Sequence, residues 1–471
     1  MKSNRFNPIV AAAVAIMMIS ACMPFAPDPE PAPEGEMPPA FSAPSAGEER
    51  PDRPDKWWRT FDDPELNLLV ARALAENFNL RMAWARLRQA RALAVQVGSA
   101  LYPDLTAEGS TDQGRRRTET AAGAATAPVE DYAMGLVSAY EVDLWGRVRS
   151  ERTAARLDAS ATLADLRTAG MTIAASVAER WVRIISQRVQ IRLLKAQLET
   201  NRTFLELVEL RFEKGMVSAL DVYQQRQIVE GVRSRIPMAE ASEKLLLHEL
   251  ALLLGRPPTW TAGITRRSLP VPRGIPDTGL PADLLILRPD VRAAALRLES
   301  ADWAVSAAKA DRLPALRLTG TARYGAADLD RIFDNWLLNL AAGLSAPVLD
   351  GGRRAAAADR AAARADERLW DYRRTVYTAV KEVEDALVSE TKRREHIQAL
   401  EAQRDAAASG LDRANQRYRN GVSDYLPVLT QLLTLQGLER DLVVQRTELL
   451  LDRILLYRAL GGTWVKDRFS L

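Results

Sequence analysis

The chain repeats itself. Asn79-Leu80-Arg81 with Ala83 and Ala90 returns 211 residues later as Asp290-Val291-Arg292 with Ala294 and Ala301. Tyr102-Pro103-Asp104-Leu105 returns as Leu313-Pro314-Ala315-Leu316 at the same spacing. Val142 to Arg147 (VDLWGR) matches Val348 to Arg353 (VLDGGR) at 206, as do RFEKGMVSALDV (211–222) with RYRNGVSDYLPV (417–428), and Leu254-Gly255 with Leu460-Gly461. Any one match is weak, but their order and near-constant spacing define a tandem repeat of roughly 190 residues. The offset changes once, by five residues between Pro103 and Val142, and a length change in one loop accounts for it. The 471 residues therefore fold as two copies of one unit rather than as two or three unrelated domains.

Each unit reads as helix, two strands, long helix, turn, helix. Between Gly146 and Gly215 there is no proline and one internal glycine, Gly170. Val177, Trp181, Ile184, Ile191, Leu194, Leu198, Leu205, Val208 and Phe212 keep a heptad period there. A second apolar set, Ile185, Val189, Leu193, Leu207 and Leu210, flanks the first. A helix with two seams packs on neighbours at both sides, as in a helical barrel. Some 65 helical residues would span about 100 Å, so the chain is expected to be elongated.

The strand pairs alternate. Tyr132, Met134, Leu136, Ser138, Tyr140 and Val142 interleave with smaller or polar residues, and Leu316, Leu318, Gly320, Ala322 and Tyr324 with Arg317, Thr319, Thr321 and Arg323. Trp336 to Val348 is apolar on alternate positions, with Asn339, Gly343 and Ser345 on the other face. This suits a membrane β-barrel, the other reading being an edge of a soluble sandwich. Four strands leave two unpaired edges, which lipid does not tolerate. Two, three or four copies would close eight, twelve or sixteen strands, and a conduit favours three or more.

Composition matters at the ends and for what it excludes. Lys2 and Arg5 precede an apolar run, Ile9 to Ile19, too short for a stable span, which reads as an export signal. The one cysteine, Cys22, follows Ile19-Ser20-Ala21 as in a bacterial lipobox, where the sulfur receives a diacylglycerol; the other reading is a buried thiol. Residues 23–54 hold ten prolines and read as an extended tether letting a lipid-anchored body stand off from the bilayer. Removing 1–21 takes the charges of Lys2 and Arg5 from the net +3, leaving +1. That balance, with no long run of one sign, argues against nucleic acid. One cysteine and two histidines, His248 and His396, far apart on helical patterns, give no catalytic, metal or cofactor site.

Trp57-Trp58-x-x-Phe61-x-Asp63-Pro64-x-Leu66 leads into Asn77-x-Asn79-Leu80-Arg81-x-Ala83-x-Ala85-Arg86, and Arg288-Pro289-Asp290-Val291-Arg292 reopens the pattern. With Tyr140-Glu141-x-Asp143-Leu144-Trp145-Gly146-Arg147 and the two Gly turns, the chain from about Trp57 to Gly462 resembles the TolC-like outer membrane efflux proteins, and the lipobox its NodT-type lipoprotein branch. The resemblance implies a mainly α fold with membrane β: a homotrimeric 12-stranded β-barrel continuous with a 12-helix α-barrel, four strands per protomer. It implies docking onto a periplasmic adaptor and an inner-membrane transporter, with outer membrane lipid around the barrel. The chain then divides into a signal peptide (1–21), lipidated Cys22 and tether (22–56), first repeat (57–255), equatorial linker (256–281), second repeat (282–462) and C-terminal tail (463–471). Helix 147–213 would descend to a periplasmic tip at Gly215, helix 221–253 return part way with a bend at Pro237, and helix 286–311 complete the ascent.

The tips have two readings. Gly215 and Gly421 each follow Arg-aromatic-x-x, a glycine helix cap with arginine near the negative helix end. The resemblance adds that Gly215, Met216, Val217, Gly421, Val422 and Ser423 form an adaptor-docking surface, six near-equivalent sites in a trimer. Several family members carry acidic residues six or nine positions past the second tip glycine; here those are Pro427 and Thr430. Asp424 and Tyr425 are the nearest candidates for a gate, though Asp424 also reads as a surface aspartate. Arg115-Arg116-Arg117 reads as part of a loop between strands, either solvated or touching anionic lipopolysaccharide. The expected function is a passive exit duct for small molecules, driven by a partner pump. The alternatives are a lipid-anchored periplasmic adaptor without a pore and the duct of a protein secretion system.

Overall fold

A computed structural model of the chain describes residues 23–27, 38–42, 56–121, 123–272, 274–276, 278 and 281–461. Cys22 lies outside the described residues, as do the export signal and the tail 463–471. Helices α1 (Pro64–Glu76) and α2 (Phe78–Ser99) lead into strands β1 (Asp104–Thr120) and β2 (Gly123–Val142), then the long helix α3 (Arg147–Glu213) and its return α4 (Ala219–Leu253). After a mostly irregular stretch and a one-turn helix, Leu284–Leu287, the order recurs as α5 (Pro289–Ala310), β3 (Ala315–Ala326), β4 (Trp336–Ser345), α6 (Arg353–Arg419) and α7 (Leu426–Ala459). The duplication holds to the residue: α5 is α2 displaced by 211 at both ends, and α6 is α3 displaced by 206.

The two long helices are 67 residues each, without proline. Both start on an aspartate. Asp143 accepts from the N–H groups of Val148 and Arg149 at 3.0 Å each. Asp350 accepts from Gly352 at 3.1 Å and Arg354 at 3.3 Å. Each carboxylate satisfies donors that the first turn leaves free and opposes the positive helix end. The heptad seam of α3 is buried at Val177, Trp181, Ile184, Ile191, Leu194, Leu198 and Val208, but Phe212 and the flanking Leu210 are exposed.

Two helix boundaries differ from the sequence reading. α4 begins at Ala219 rather than 221, because Ser218 and Asp221 close a capping box. Pro237, where a bend is expected, lies inside this one helix. The helix expected over 286–311 is broken at Arg288, which is extended (φ −84°, ψ 119°) because Pro289 follows it.

The strands form one antiparallel sheet in the order β1-β2-β3-β4, leaving β1 and β4 as edges. Cross-strand pairs sort its faces: Leu316 with Leu344, Leu318 with Ala342, Ala322 with Leu338 and Tyr324 with Trp336 lie on one, and Arg317 with Gly343, Thr319 with Ala341 and Thr321 with Asn339 on the other. On the apolar face of β2, Val142 to Tyr132 is about 33 Å at ~3.3 Å per residue. Tilted by about 40°, that is roughly the 25 Å apolar band of a membrane barrel. Tyr132, Tyr324 and Trp336 gather at its far end.

Arg115, Arg116 and Arg117 are not in a loop. They lie inside β1, paired with Pro128, Ala127 and Thr126 of β2. The hairpin here stands beyond the apolar band, so its strands lack the alternation that marks the rest. The length difference between repeats resides in these strands too: β1 and β2 have 17 and 20 residues, β3 and β4 only 12 and 10. β4 ends at Ser345, short of Val348.

All four strands belong to one compact unit, with chain segments 86–163 and 293–373; both tips belong to the other, with 164–292 and 374–471. In the second unit Trp57, Trp58, Phe61 and Trp181 are buried together, Trp57 stacking on Tyr457 at 5.4 Å. The tether is seated at two places. Phe41 is buried, and the N–H of Ser42 donates to the Glu384 carboxylate at 2.9 Å. Met23 packs against Gly146, where an added Cβ would lie 2.9 Å from its Cγ. The segment is thus held at these two places, and residues 28–37 and 43–54 of the expected tether lie outside the described residues. Among the described residues no helix is long and apolar enough to cross a membrane.

Candidate functional site

The turn at each helix tip is set by its glycine. Gly215 has φ 69° and Gly421 φ 70°, the left-handed region that glycine occupies without steric cost. The N–H of Met216 donates to Arg211 at 2.9 Å and that of Gly215 to Phe212 at 2.9 Å. Val422 donates to Arg417 at 2.9 Å and Gly421 to Tyr418 at 3.1 Å. Both tips are Schellman caps, which satisfy the last carbonyls of the long helices.

The arginines do not treat the tips alike. The Arg211 guanidinium lies 4.2 Å from the Tyr418 ring centroid and donates to the carbonyls of Tyr418 at 3.2 Å and Arg419 at 3.4 Å. It therefore caps the negative end of α6 rather than only its own helix. Around it Val208, Val222, Ala414, Tyr418, Tyr425, Val428 and Leu429 form one buried cluster, which ties the two tips together.

The candidate gate residues part company. Asp424 is exposed. Tyr425 is buried, its ring 5.4 Å from Tyr418, and its hydroxyl donates to Gln225 Oε1 at 2.9 Å. Burial, with Tyr418 and Asp221 nearby, pushes this phenol well above its ordinary pKa, so it remains a donor. Gln225 Nε2 donates to the Asn201 carbonyl at 2.8 Å, and Asn201 Nδ2 to Gln436 Oε1 at 3.0 Å. Gln197 Nε2 donates to the Gln436 carbonyl at 3.1 Å and to Glu439 at 2.8 Å. This amide ladder joins α3, α4 and α7 in a core where a slip of one turn would leave several polar groups unpaired.

Met216 and Val422 are exposed at the tips, as are Leu220 and Leu426, with Val217 and Ser423 half-buried. The first tip also exposes Tyr223. Asn201, Gln225 and Gln436 went unread in the sequence, since polar residues on a heptad helix resemble a solvated face. The only available signal was amides in the same register as seam leucines.

The chemistry here is mechanical. His248 and His396 are exposed on α4 and α6, and among the described residues no group of three or more His, Cys, Asp or Glu could hold a metal ion.

The family model described as outer membrane efflux protein matches residues 69–256 and 280–462. The pyoverdine export outer membrane protein OpmQ of Pseudomonas aeruginosa is 34% identical over 425 residues, 88% of this chain and 89% of its own length. The toluene efflux pump outer membrane protein TtgF of Pseudomonas putida is 31% identical, over 92% of this chain and 90% of its own. Among solved structures, the outer-membrane channel OprN superposes with a TM-score of 0.87 at 29% identity, covering 93% of this chain and 99% of its own. The outer membrane protein VceC of Vibrio cholerae gives 0.82 at 27%, covering 88% and 100%.

Proposed function

The chain belongs to the outer membrane efflux protein family and is the outer-membrane channel component of an efflux system, not an enzyme, and from that premise we propose how it is assembled and used. Three copies close a twelve-stranded barrel over a twelve-helix tunnel. A periplasmic adaptor docks on the tips at Gly215, Met216, Val217, Gly421, Val422 and Ser423, and an inner-membrane transporter supplies the energy. Substrates are small molecules, as the relatives named for pyoverdine and toluene suggest. Cys22 carries lipid that holds the chain to the outer membrane, together with the lipid contacts of the barrel. At the tunnel mouth Asp424 faces the passage, and Tyr425 braces it from behind through Gln225.

The observation that carries the trimer is the four-stranded sheet with an apolar face and two unpaired edges. In lipid that sheet cannot stand alone. Purified protein should migrate as a heat-dissociable trimer, conduct ions in planar bilayers, and carry a lipid mass that Cys22→Ser removes. A monomer without conductance would sink the proposal, and an unlipidated wild type would sink the anchor.

Gly421→Leu tests the docking surface. Nothing lies within 4 Å of the added Cβ, so the damage is confined to the backbone, where holding leucine in the left-handed region costs about 1–2 kcal/mol. Trimers should persist while adaptor crosslinking at the tip falls severalfold. Undiminished crosslinking would refute the assignment.

A further inference from the structure

The helices that share a unit with the sheet carry more positive charge than the whole chain. Over 86–99, 147–163, 293–310 and 353–373 they hold 15 arginines and lysines against 8 acidic residues, while the chain as a whole is +3. The sheet fixes the order of these helices. α3 leaves β2, α5 enters β3 and α6 leaves β4, so α5 lies between the other two. Ser300 Oγ on α5 donates to the Ala154 carbonyl of α3 at 3.0 Å, and Arg354 Nε of α6 donates to Asp311, just past α5, at 3.1 Å.

Together α3, α5 and α6 enclose a groove of about 630 Å³. Its polar walls are Asp158, Arg297, Ser300, Arg360, Arg364 and Arg368, and every other wall residue is alanine. Arg360, Arg364 and Arg368 recur every four residues, so they stand on one stripe of α6, about 6 Å apart along its axis. Like charges at that spacing repel one another on a helix. Among the described residues Arg360 and Arg364 have no hydrogen-bond or ion-pair partner, and Arg368 lies 3.9 Å from Asp371. Asp158, the one acid on the wall, pairs with none of them.

Two arginines fix the side of the helices on which the groove opens. Arg147 and Arg354 stand seven residues before Ala154 and Ala361, on the stripes of α3 and α6 that line it. Both also line a second cavity at the sheet end, with Glu141 and Arg317. Arg147 pairs with Glu141 at 2.7 Å, and Glu141 with Arg317 at 3.5 Å, on the polar face of the sheet. The groove therefore lies on the polar-face side, away from the apolar band and out of reach of lipid headgroups.

We propose that this groove is a transit site for small organic anions, carboxylates above all, within the tunnel. The inference rests on the trimeric duct and names what it passes. Three copies set twelve arginines against three aspartates at one level. A guanidinium takes a carboxylate through two parallel hydrogen bonds, and its charge does not titrate away. The stripe on α6 offers successive sites, so that an anion leaving one arginine meets the next rather than being held, as conduction requires. The alanines keep the passage wide and offer the arginines no competing acceptor.

The full-length trimer in planar bilayers under a potassium chloride gradient tests it through the chloride-to-potassium permeability ratio. One substitution acts three times in a trimer. Arg360→Gln and Arg364→Gln should each lower the ratio about threefold, because a ring of charge is lost within a Debye length of the passing ion. Asp158→Asn should raise it, a direction that general damage to the tunnel would not produce. Arg156 is exposed two residues from both Ala154 and Asp158, on the opposite side of α3, so Arg156→Gln should leave the ratio unchanged. Citrate in one chamber should interrupt the wild-type current, and Arg364→Gln should shorten the interruptions. Unchanged ratios in Arg360→Gln and Arg364→Gln, or an equal fall in Arg156→Gln, would overturn the anion site and leave the duct standing. A wild-type trimer that passes no current would overturn the duct itself.

Discussion

Arg453→Met should destabilise the folded protein by about 3–5 kcal/mol in chemical denaturation of the detergent-solubilised chain. Arg453 is 2% exposed and Glu390 is fully buried, on α7 and α6. The guanidinium donates from Nε to Glu390 Oε2 at 3.0 Å and reaches Oε1 with Nη2, while Arg394 donates to Oε1 at 2.7 Å. Burial alone would lower the Arg453 pKa, but the bonds to Glu390 hold it above the ordinary value. Methionine fills much of the same space and makes none of these bonds, so the loss isolates the charge. Glu390 then keeps only Arg394 while remaining out of water. Adding Glu390→Leu should return most of the loss, because a buried ion pair and a packed apolar pair differ far less than either does from a buried lone charge. A single-variant loss below 1 kcal/mol would show that the carboxylate escapes to solvent.

Trp181→Ala should cost a similar amount, about 3–5 kcal/mol, by a different route. Trp181 is completely buried on α3, edge-on to Phe61 at 6.4 Å, with the Arg266 guanidinium 5.8 Å from its ring. Arg266 also pairs with Asp63 at 3.0 Å, and Asp63 caps α1 by accepting from Leu66 at 3.0 Å. The indole is thus the floor on which both the Trp57–Phe61 turn and the stretch after Gly255 rest. Its removal should expose Arg266 and Arg267 to trypsin while leaving heat-stable strand content intact. Stability within 1 kcal/mol of wild type, with unchanged proteolysis, would show that the site collapses to fill the hole.

The duplication and the long helices were legible because their signals are local and redundant. Asp143 and Asp350, Gly215 and Gly421, and a proline-free heptad run each fix an element boundary by chemistry within a few residues. The apolar alternation of β2, β3 and β4 was readable for the same reason. The strand holding Arg115, Arg116 and Arg117 was not, since beyond the apolar band neither face of a β-ribbon needs to be apolar and periodicity carries no information. Tyr425 was hidden differently. An aromatic four residues past a tip glycine reads alike whether it turns to the tunnel or to the core, and only Gln225 on another helix decides. Arg211 shows the same limit: its position near a helix end was visible, but which helix end it caps depends on a residue 207 positions away.

The duplication of the tips has an evolutionary consequence. A single repeat could close on itself as a ring of six, and the present chain carries two such repeats in one polypeptide. In such a hexamer every substitution would be repeated at all six tips. Fusion relaxed that constraint, and the tips record it: Tyr223 is 67% exposed where its counterpart Leu429 is 6%, and Phe212 is 46% exposed where Tyr418 is 3%. The second tip has gained a buried aromatic brace, and the first keeps its aromatics exposed. A ring of identical units could not have divided that labour.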